Sequence, residues 1–173
     1  MLLDANILLY ARNSDDPHHD RARTWLVDAL NGSTRVGFPW QTVAAFLRIA
    51  TNPRAFAEPL EPEVAWQQVE DWLAAPRAWV PQPTAAYAGV LGRLVRNHRV
   101  RGPLVTDAAL AALAIDHGVA VVSADADFAR FFDVRWINPL DQPVSGPADD
   151  ASSGAEEQVD ERDASATGPE QDT

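Results

Sequence analysis

Three aspartates, Asp4, Asp107 and Asp125, stand where carboxylates could do chemistry together. Asp4 and Asp125 each follow a short apolar run typical of a buried strand, and Asp107 lies in the first turn of a helix for which we expect Thr106 to be the N-cap. Carboxylates that converge repel one another, and a divalent cation relieves that repulsion. Because the chain has no cysteine, oxygen ligands would select a hard ion, Mg²⁺ or Mn²⁺.

Taken singly, each aspartate has an ordinary explanation. An aspartate near a helix N-terminus gains about 0.3–1 kcal/mol from the helix dipole without any ligand. The histidines are ordinary too: His18, His19 and His117 fall near helix ends, where we expect capping or surface roles and not metal ligation. Only convergence of the aspartates would indicate a site, and such a site could hydrolyse a phosphodiester without a serine, cysteine or histidine nucleophile.

The spacing of apolar residues predicts strands alternating with helices. We expect strands at 2–3, 36–38, 78–80, 120–122 and 134–137, with helices between them and a short helical turn at 127–132. This order predicts an α/β fold of three layers, α/β/α, around a mostly parallel central sheet. Ligands of such sheets bind at the carboxyl ends of the strands, where Asp4 and Asp125 fall. A Rossmann-type nucleotide binder fits the same order, but no glycine-rich loop follows the first strand.

The formal charge of −11 is distributed unevenly along the chain. Residues 141–173 hold ten acids and one arginine, a charge of −9, which leaves residues 1–140 at −2. The last segment also has almost no large apolar side chains, so we expect a folded domain at 1–140 and an acidic disordered tail at 141–173. No apolar run approaches the roughly 18 residues of a membrane span, so we expect no membrane association and a cytoplasmic protein.

One segment of the domain is strongly basic. Residues 93–102 contain four arginines and one histidine and no acid, immediately before the helix that carries Asp107. Such a segment could hold RNA phosphates near a metal, or it could be an ordinary solvated helix face. Trp40 is a candidate for contact with a partner protein.

Four ordered motifs resemble those of PIN domains, in particular the VapC ribonuclease toxins of paired toxin and antitoxin systems. They are Asp4-Ala-Asn-Ile-Leu-Leu-Tyr-Ala11, Trp40 with Ala45-Phe-Leu-Arg48 and Thr51-Asn-Pro-Arg54, Asp107-Ala-Ala-Leu-Ala-Ala-Leu-Ala114, and Ser123-Ala-Asp-Ala-Asp-Phe128. The resemblance runs from about residue 1 to Leu140. It implies a PIN-like fold and the toxic component of a type II toxin-antitoxin system.

The same resemblance implies an activity, a set of site residues and partners. The activity is Mg²⁺-dependent endoribonuclease cleavage of RNA phosphodiester bonds, with Asp4, Asp107 and Asp125 as both catalytic residues and metal ligands. Asp127 either joins them or caps the short turn that seats Phe128. The implied partners are the RNA substrate, a cognate VapB-like antitoxin and a second copy of the chain in a homodimer.

One departure from the family pattern bears on activity. Many PIN nucleases carry a glutamate on the helix after the second strand, whereas residues 43–50 contain no acid. We therefore expect one firmly held ion, with Asn6, Thr42 or Ser123 as possible polar substitutes. The missing glutamate also motivates an alternative, a non-catalytic PIN-like module that binds RNA or protein.

Overall fold

Five short parallel strands form the centre of the fold. In the computed structural model, which describes residues 1–141, the strands are β1 (Leu2–Leu3), β2 (Val36–Gly37), β3 (Ala78–Trp79), β4 (Val121–Val122) and β5 (Trp136–Ile137). Their order across the sheet is β3-β2-β1-β4-β5, and every pair is parallel. The α/β fold with a parallel sheet is confirmed.

Helices cover both faces of this sheet. They are α1 (Ala5–Arg12), α2 (His19–Asn31), α3 (Trp40–Ala50), α4 (Pro62–Leu73), α5 (Tyr87–Asn97) and α6 (Leu104–Asp116), followed by a 3₁₀ turn at Ala126–Arg130. Successive strand residues point to opposite faces. Leu2 and Val121 therefore enter the core under α5 and α6, while Leu3 and Val122 enter the core under α1 to α4. This is the predicted three-layer arrangement.

The strand order places a crevice next to β1. From β1 the chain builds β2 and β3 on one side and then returns to build β4 and β5 on the other. Ligands of parallel sheets bind where the order reverses in this way, outside the carboxyl ends of the strands. The Asp4 N–H donates to the Val122 carbonyl over 2.9 Å, which joins the ends of β1 and β4 at that point.

Helix α6 begins earlier than the sequence pattern predicts. Its first residue is Leu104 and Pro103 precedes it, so the expectation that Thr106 is the N-cap is wrong. Gly102, with φ of 55°, turns the chain, and proline at a helix start has no N–H to leave unsatisfied. Asp107 still lies in the first turn.

Two further expectations concern membrane spans and the C-terminal tail. Within residues 1–141, no helix is long and apolar enough to span a membrane. The predicted acidic tail at 141–173 falls, apart from Asp141, outside the described residues.

Candidate metal centre

Asp4 ends β1 and caps α1. Its backbone is extended, with φ of −85° and ψ of 155°, and its Oδ1 accepts from the Ala5 N–H over 2.7 Å. Its Oδ2 accepts from the Ser123 hydroxyl over 2.6 Å and from Asn6 Nδ2 over 3.0 Å. Both carboxylate oxygens are therefore oriented before any ligand binds.

Ser123 connects the two strand ends that form the crevice. It follows β4 and is fully buried. Besides donating to Asp4, its hydroxyl oxygen accepts from Asn6 Nδ2 over 2.9 Å and from the Asp125 N–H over 3.0 Å. Its backbone N–H donates to Ile137 O over 3.1 Å and its carbonyl accepts from Trp136 Nε1 over 2.8 Å. Ser123 thus sets the position of Asp4 and of the turn that carries Asp125.

Three carboxylates come together at this edge. Asp107, Asp125 and Asp127 can each offer an oxygen such that the three atoms all lie within 4.8 Å of one another. Asp125 and Asp127 are exposed, and Asp107 is partly buried. Asp125 caps the 3₁₀ turn, its Oδ1 accepting from the Asp127 N–H over 2.8 Å. Convergence at this spacing matches what a single divalent cation can bridge.

The charges in this group act on one another. Burial, followed by the charges of Asp4, Asp125 and Asp127, raises the pKa of Asp107 to about 6. Burial is also the main cause that raises the pKa of Asp4, and the charge of Asp125 raises it further, against the lowering effect of its bonds from Ser123 and Ala5. Asp4 is thus close enough to interact with the group, although it is not one of the three carboxylates whose oxygens lie within 4.8 Å of one another.

The donor set fits a hard divalent cation. Four carboxylates share this edge, and among the described residues one ion pair, between Asp127 and Arg130 at 3.6 Å, offsets part of their charge. The raised pKa of Asp107 reflects its burial and the negative charges of Asp4, Asp125 and Asp127. Oxygen-only donors of this kind suit Mg²⁺ or Mn²⁺. Two of the histidines have other partners: His19 contacts the Tyr10 carbonyl and His117 the Gln82 carbonyl.

The structure brings Asp107 and Asp125 together with Asp127, which the sequence left undecided, and it places Asp4 next to them. The Asp-x-Asp spacing after β4 was the available signal for Asp127, whose N–H donates to Asp125 Oδ1. Of the suggested polar substitutes, Asn6 and Ser123 contact Asp4.

Thr42 behaves differently, and Tyr10 was missed. Thr42 is buried, and its hydroxyl donates to the Leu3 carbonyl over 2.7 Å, so it supports the end of β1. The pKa of the Tyr10 phenol is raised by burial, then by the charges of Asp16, Asp125 and Asp4. Tyr10, on α1 and in the first sequence motif, is thus close enough to Asp4 and Asp125 for their charges to act on its phenol.

Comparison with known proteins agrees across sequence and structure. A family model described as PIN domain matches residues 1–132. Ribonuclease VapC37 of Mycobacterium tuberculosis is 47% identical over 138 residues, which cover 80% of this chain and 96% of that protein. Ribonuclease VapC31 of the same species is 41% identical, covering 80% of this chain and 97% of the relative.

Solved structures share the fold at lower identity. VapBC2 from Rickettsia felis, bound to a DNA fragment from its promoter, superposes with a TM-score of 0.57 at 18% identity, covering 79% of this chain and 96% of that one. FitAcB from Neisseria gonorrhoeae superposes with a TM-score of 0.56 at 22% identity, covering 82% and 99%. Because these identities are low, the similarity to the solved structures shows the fold alone.

Proposed function

The chain belongs to the PIN-domain family and, within it, to the VapC ribonucleases, and from that membership we propose a Mg²⁺-dependent endoribonuclease that acts as the toxin of a toxin-antitoxin pair. The observation that carries the proposal is the convergence of Asp107, Asp125 and Asp127 within 4.8 Å beside Asp4. Sequence identity of 47% over nearly the whole length of a curated ribonuclease supports the activity.

We assign the metal to Asp4, Asp107 and Asp125, with Asp127 as a further ligand. When bound there, Mg²⁺ supplies positive charge that polarises a phosphodiester and makes water a better nucleophile near neutral pH. Asp107 must give up its proton to become a ligand, and its pKa of about 6 allows this at neutral pH. Ser123 and Asn6 hold the Asp4 carboxylate in place, so the side chain loses little conformational freedom when a ligand binds.

Asp125 is placed to accept a proton during cleavage. It is exposed, and its Oδ1 is held by the Asp127 N–H. Its backbone N–H is anchored on the Ser123 hydroxyl, so the side chain leaves a fixed turn at the open side of the group. We assign to it the deprotonation of the water that attacks the phosphodiester.

The missing helix glutamate limits the number of ions. Helix α3 contributes no acid, and its inward polar residue Thr42 is committed to the Leu3 carbonyl. The described carboxylates therefore suffice for one well-held cation, and we propose that a single Mg²⁺ supports cleavage. The acidic total charge does not oppose RNA binding, because residues 1–140 carry only −2 and four of their acids lie in this site.

We also propose a VapB-like antitoxin and a second copy of the chain as partners. The relatives include solved complexes named VapBC. The layer of α2 to α4 exposes large hydrophobic side chains suited to protein contacts, namely Val27, Trp40, Val64 and Trp66. Trp40 is 51% exposed, which is high for a tryptophan and fits the expectation of a partner contact.

The test is replacement of single carboxylates. Asp4→Asn and Asp107→Asn should each abolish metal-dependent RNA cleavage and relieve growth inhibition when the chain is expressed. Asp28→Asn is the matched control, because Asp28 is an exposed acid on α2. The C-terminal end of α2, at Gly32, accepts a hydrogen bond from Arg77 at the amino end of β3. Asp28 is therefore near the edge of the sheet opposite to the carboxylates. An unsubstituted chain that binds RNA without cleaving it in Mg²⁺, and whose binding and effect on growth are unchanged by both substitutions, would instead support the non-catalytic binding module that the missing glutamate suggests.

A further inference from the structure

Phe132 projects an aromatic ring into solvent. Its side chain is 83% exposed, more than any other large hydrophobic side chain in residues 1–141. The neighbouring Phe131 is buried and lies with Phe128 in the core under α6. The backbone of this turn is therefore anchored while the Phe132 ring stays outside. A single exposed apolar side chain is common on protein surfaces, so Phe132 points to a ligand only together with the groups around it.

His98 supports this ring from one side. The His98 and Phe132 ring centroids lie 4.7 Å apart at an interplanar angle of 63°, and His98 meets Phe131 at 5.3 Å and 77°. These are edge contacts. Nε2 of His98 is buried without a hydrogen-bond partner in the described part of the chain, so the ring is held here by aromatic contact. At 83% exposure, most of the Phe132 ring remains available to a ligand.

Four arginines lie close to His98 in the sequence, while Asp133 is the exposed acid next to Phe132. His98 belongs to the basic segment, residues 93–102, whose four arginines are all exposed. Within residues 1–141 no carboxylate forms an ion pair with any of those four. An exposed aromatic ring beside unpaired guanidinium groups is the combination that single-stranded nucleic-acid sites use, with the ring under a base and the cations on phosphates.

The conformation of Arg99 adds a second sign of selection for a ligand. Arg99 has φ of 50°, the left-handed region, and it is the only non-glycine residue of the described chain there. It follows the end of α5, where the Val100 N–H donates to Val95 O over 3.1 Å. Glycine is the usual residue at this position of a helix end. An arginine that accepts the strain indicates a use for its side chain.

Phe132 and the basic segment are both close in the sequence to aspartates of the candidate metal centre. Phe132 follows Asp127 by five residues, which limits their Cα separation to about 18 Å. The basic segment leads directly into α6, whose first turn carries Asp107. A nucleotide on Phe132 would therefore lie a few positions along the strand from a phosphodiester at the carboxylates.

We propose that Phe132, supported by His98 and flanked by Arg99 and Arg101, is a stacking platform for one unpaired base of the RNA substrate. This inference rests on the proposed ribonuclease function and adds which residues of this chain hold the RNA beside the cleaved bond. The face of a base inside a duplex is covered by its neighbours, whereas a base in a loop or single strand can stack on an aromatic ring. Arg99 and Arg101 contact the phosphates on either side.

The test is RNA binding by the full chain carrying Asp4→Asn, which stops cleavage. The probe is a labelled single-stranded RNA of about 12 nucleotides, within the range that such surfaces cover. We expect Phe132→Ala to weaken binding about tenfold and Phe132→Trp to keep it within about twofold. The control is Gln67→Ala, which changes an exposed side chain on α4. The buried residues of α4 pack in the opposite layer, so this substitution should not change binding.

An abasic scan locates the stacked base. Each base of the probe is removed in turn, and the loss of affinity is measured for the protein that keeps Phe132 and for the protein that carries Phe132→Ala. At the stacked position the two losses should fail to add, because either change removes the same contact. Arg99→Gly should raise the melting temperature, since it relieves the left-handed strain, and should still weaken RNA binding several-fold.

The outcomes separate this inference from the ribonuclease itself. Equal RNA binding by Phe132→Ala and the parent overturns the platform, as do losses that add at every abasic position. A Phe132→Ala protein with normal RNA affinity but weakened antitoxin binding or dimerisation places the ring in a protein interface and overturns it too. Ring-dependent binding by a chain whose unsubstituted form never cleaves RNA keeps the platform and contradicts the ribonuclease. RNA cleavage by a chain whose RNA binding does not depend on the Phe132 ring overturns the platform and supports the ribonuclease.

Discussion

Replacing Asp107 by asparagine should stabilise the metal-free protein while abolishing its activity. The pKa of Asp107 is raised from 3.8 to about 6 by burial and by Asp4, Asp125 and Asp127. A raised pKa means that the folded state holds the proton more tightly than the unfolded state. The free energy of unfolding therefore falls as the pH rises from about 4 to 6, and the full penalty is present above that window. Asparagine is neutral and of nearly the same size, so it removes the penalty.

The size of the effect follows from the shift. Two pKa units correspond to about 3 kcal/mol at 1.36 kcal/mol per unit. Asp107 is only partly buried, so solvent screening reduces this figure. The charge also gains about 0.3–1 kcal/mol from the N-terminus of α6, which asparagine loses. We expect a net stabilisation of about 1 kcal/mol at pH 7.5, equivalent to a rise in melting temperature of about 2–4 °C.

The assay is denaturation of both proteins in EDTA at pH 7.5 and at pH 4, repeated with Mg²⁺. At pH 4 the difference should shrink below about half a kcal/mol, because the carboxyl group is then protonated in the folded state. Mg²⁺ should stabilise the unsubstituted protein by mass action and leave Asp107→Asn unchanged. Asp28→Asn measures the effect of losing any one negative charge. An Asp107→Asn protein that is no more stable at pH 7.5, or equally stabilised at both pH values, would refute the electrostatic reasoning.

Two substitutions and one truncation test further features of the protein. Ser123→Ala removes the hydroxyl that donates to Asp4 Oδ2, so the pKa of Asp4 should rise and cleavage at neutral pH should fall about tenfold, with partial recovery at higher pH in a pH–rate profile; a flat profile would contradict this. Thr42→Val leaves the buried Leu3 carbonyl without its donor and should cost about 1–3 kcal/mol in urea unfolding, while Mg²⁺ affinity stays unchanged; lost affinity would make Thr42 a ligand. Deletion of residues 146–173 should leave the melting temperature unaltered in calorimetry, and a large drop would show that the tail packs on the domain.

The sequence alone determined the layered parallel architecture and the edge at which the site lies. Alternating strand and helix periods are local properties, readable within a few residues, and they predicted all five strands. The residues after β1 and β4 reach the same edge in any parallel sheet, so Asp4 and Asp125 could be proposed for one site without coordinates. The start of α6 was predicted less well. Thr106 is of a residue type that favours the N-cap, but the backbone geometry of Gly102 and Pro103 starts the helix at Leu104.

Only the tertiary structure decided which side chains meet. Ser123 and Asp4 are 119 positions apart, and their hydrogen bond exists because β1 and β4 pair in one particular register. The same holds for Asp127 within the carboxylate group and for His98 against Phe132, which are brought together by the packing of α5, α6 and the 3₁₀ turn. Side-chain convergence depends on burial and on distances between segments remote in the chain. Periodicity and residue type carry no information about either.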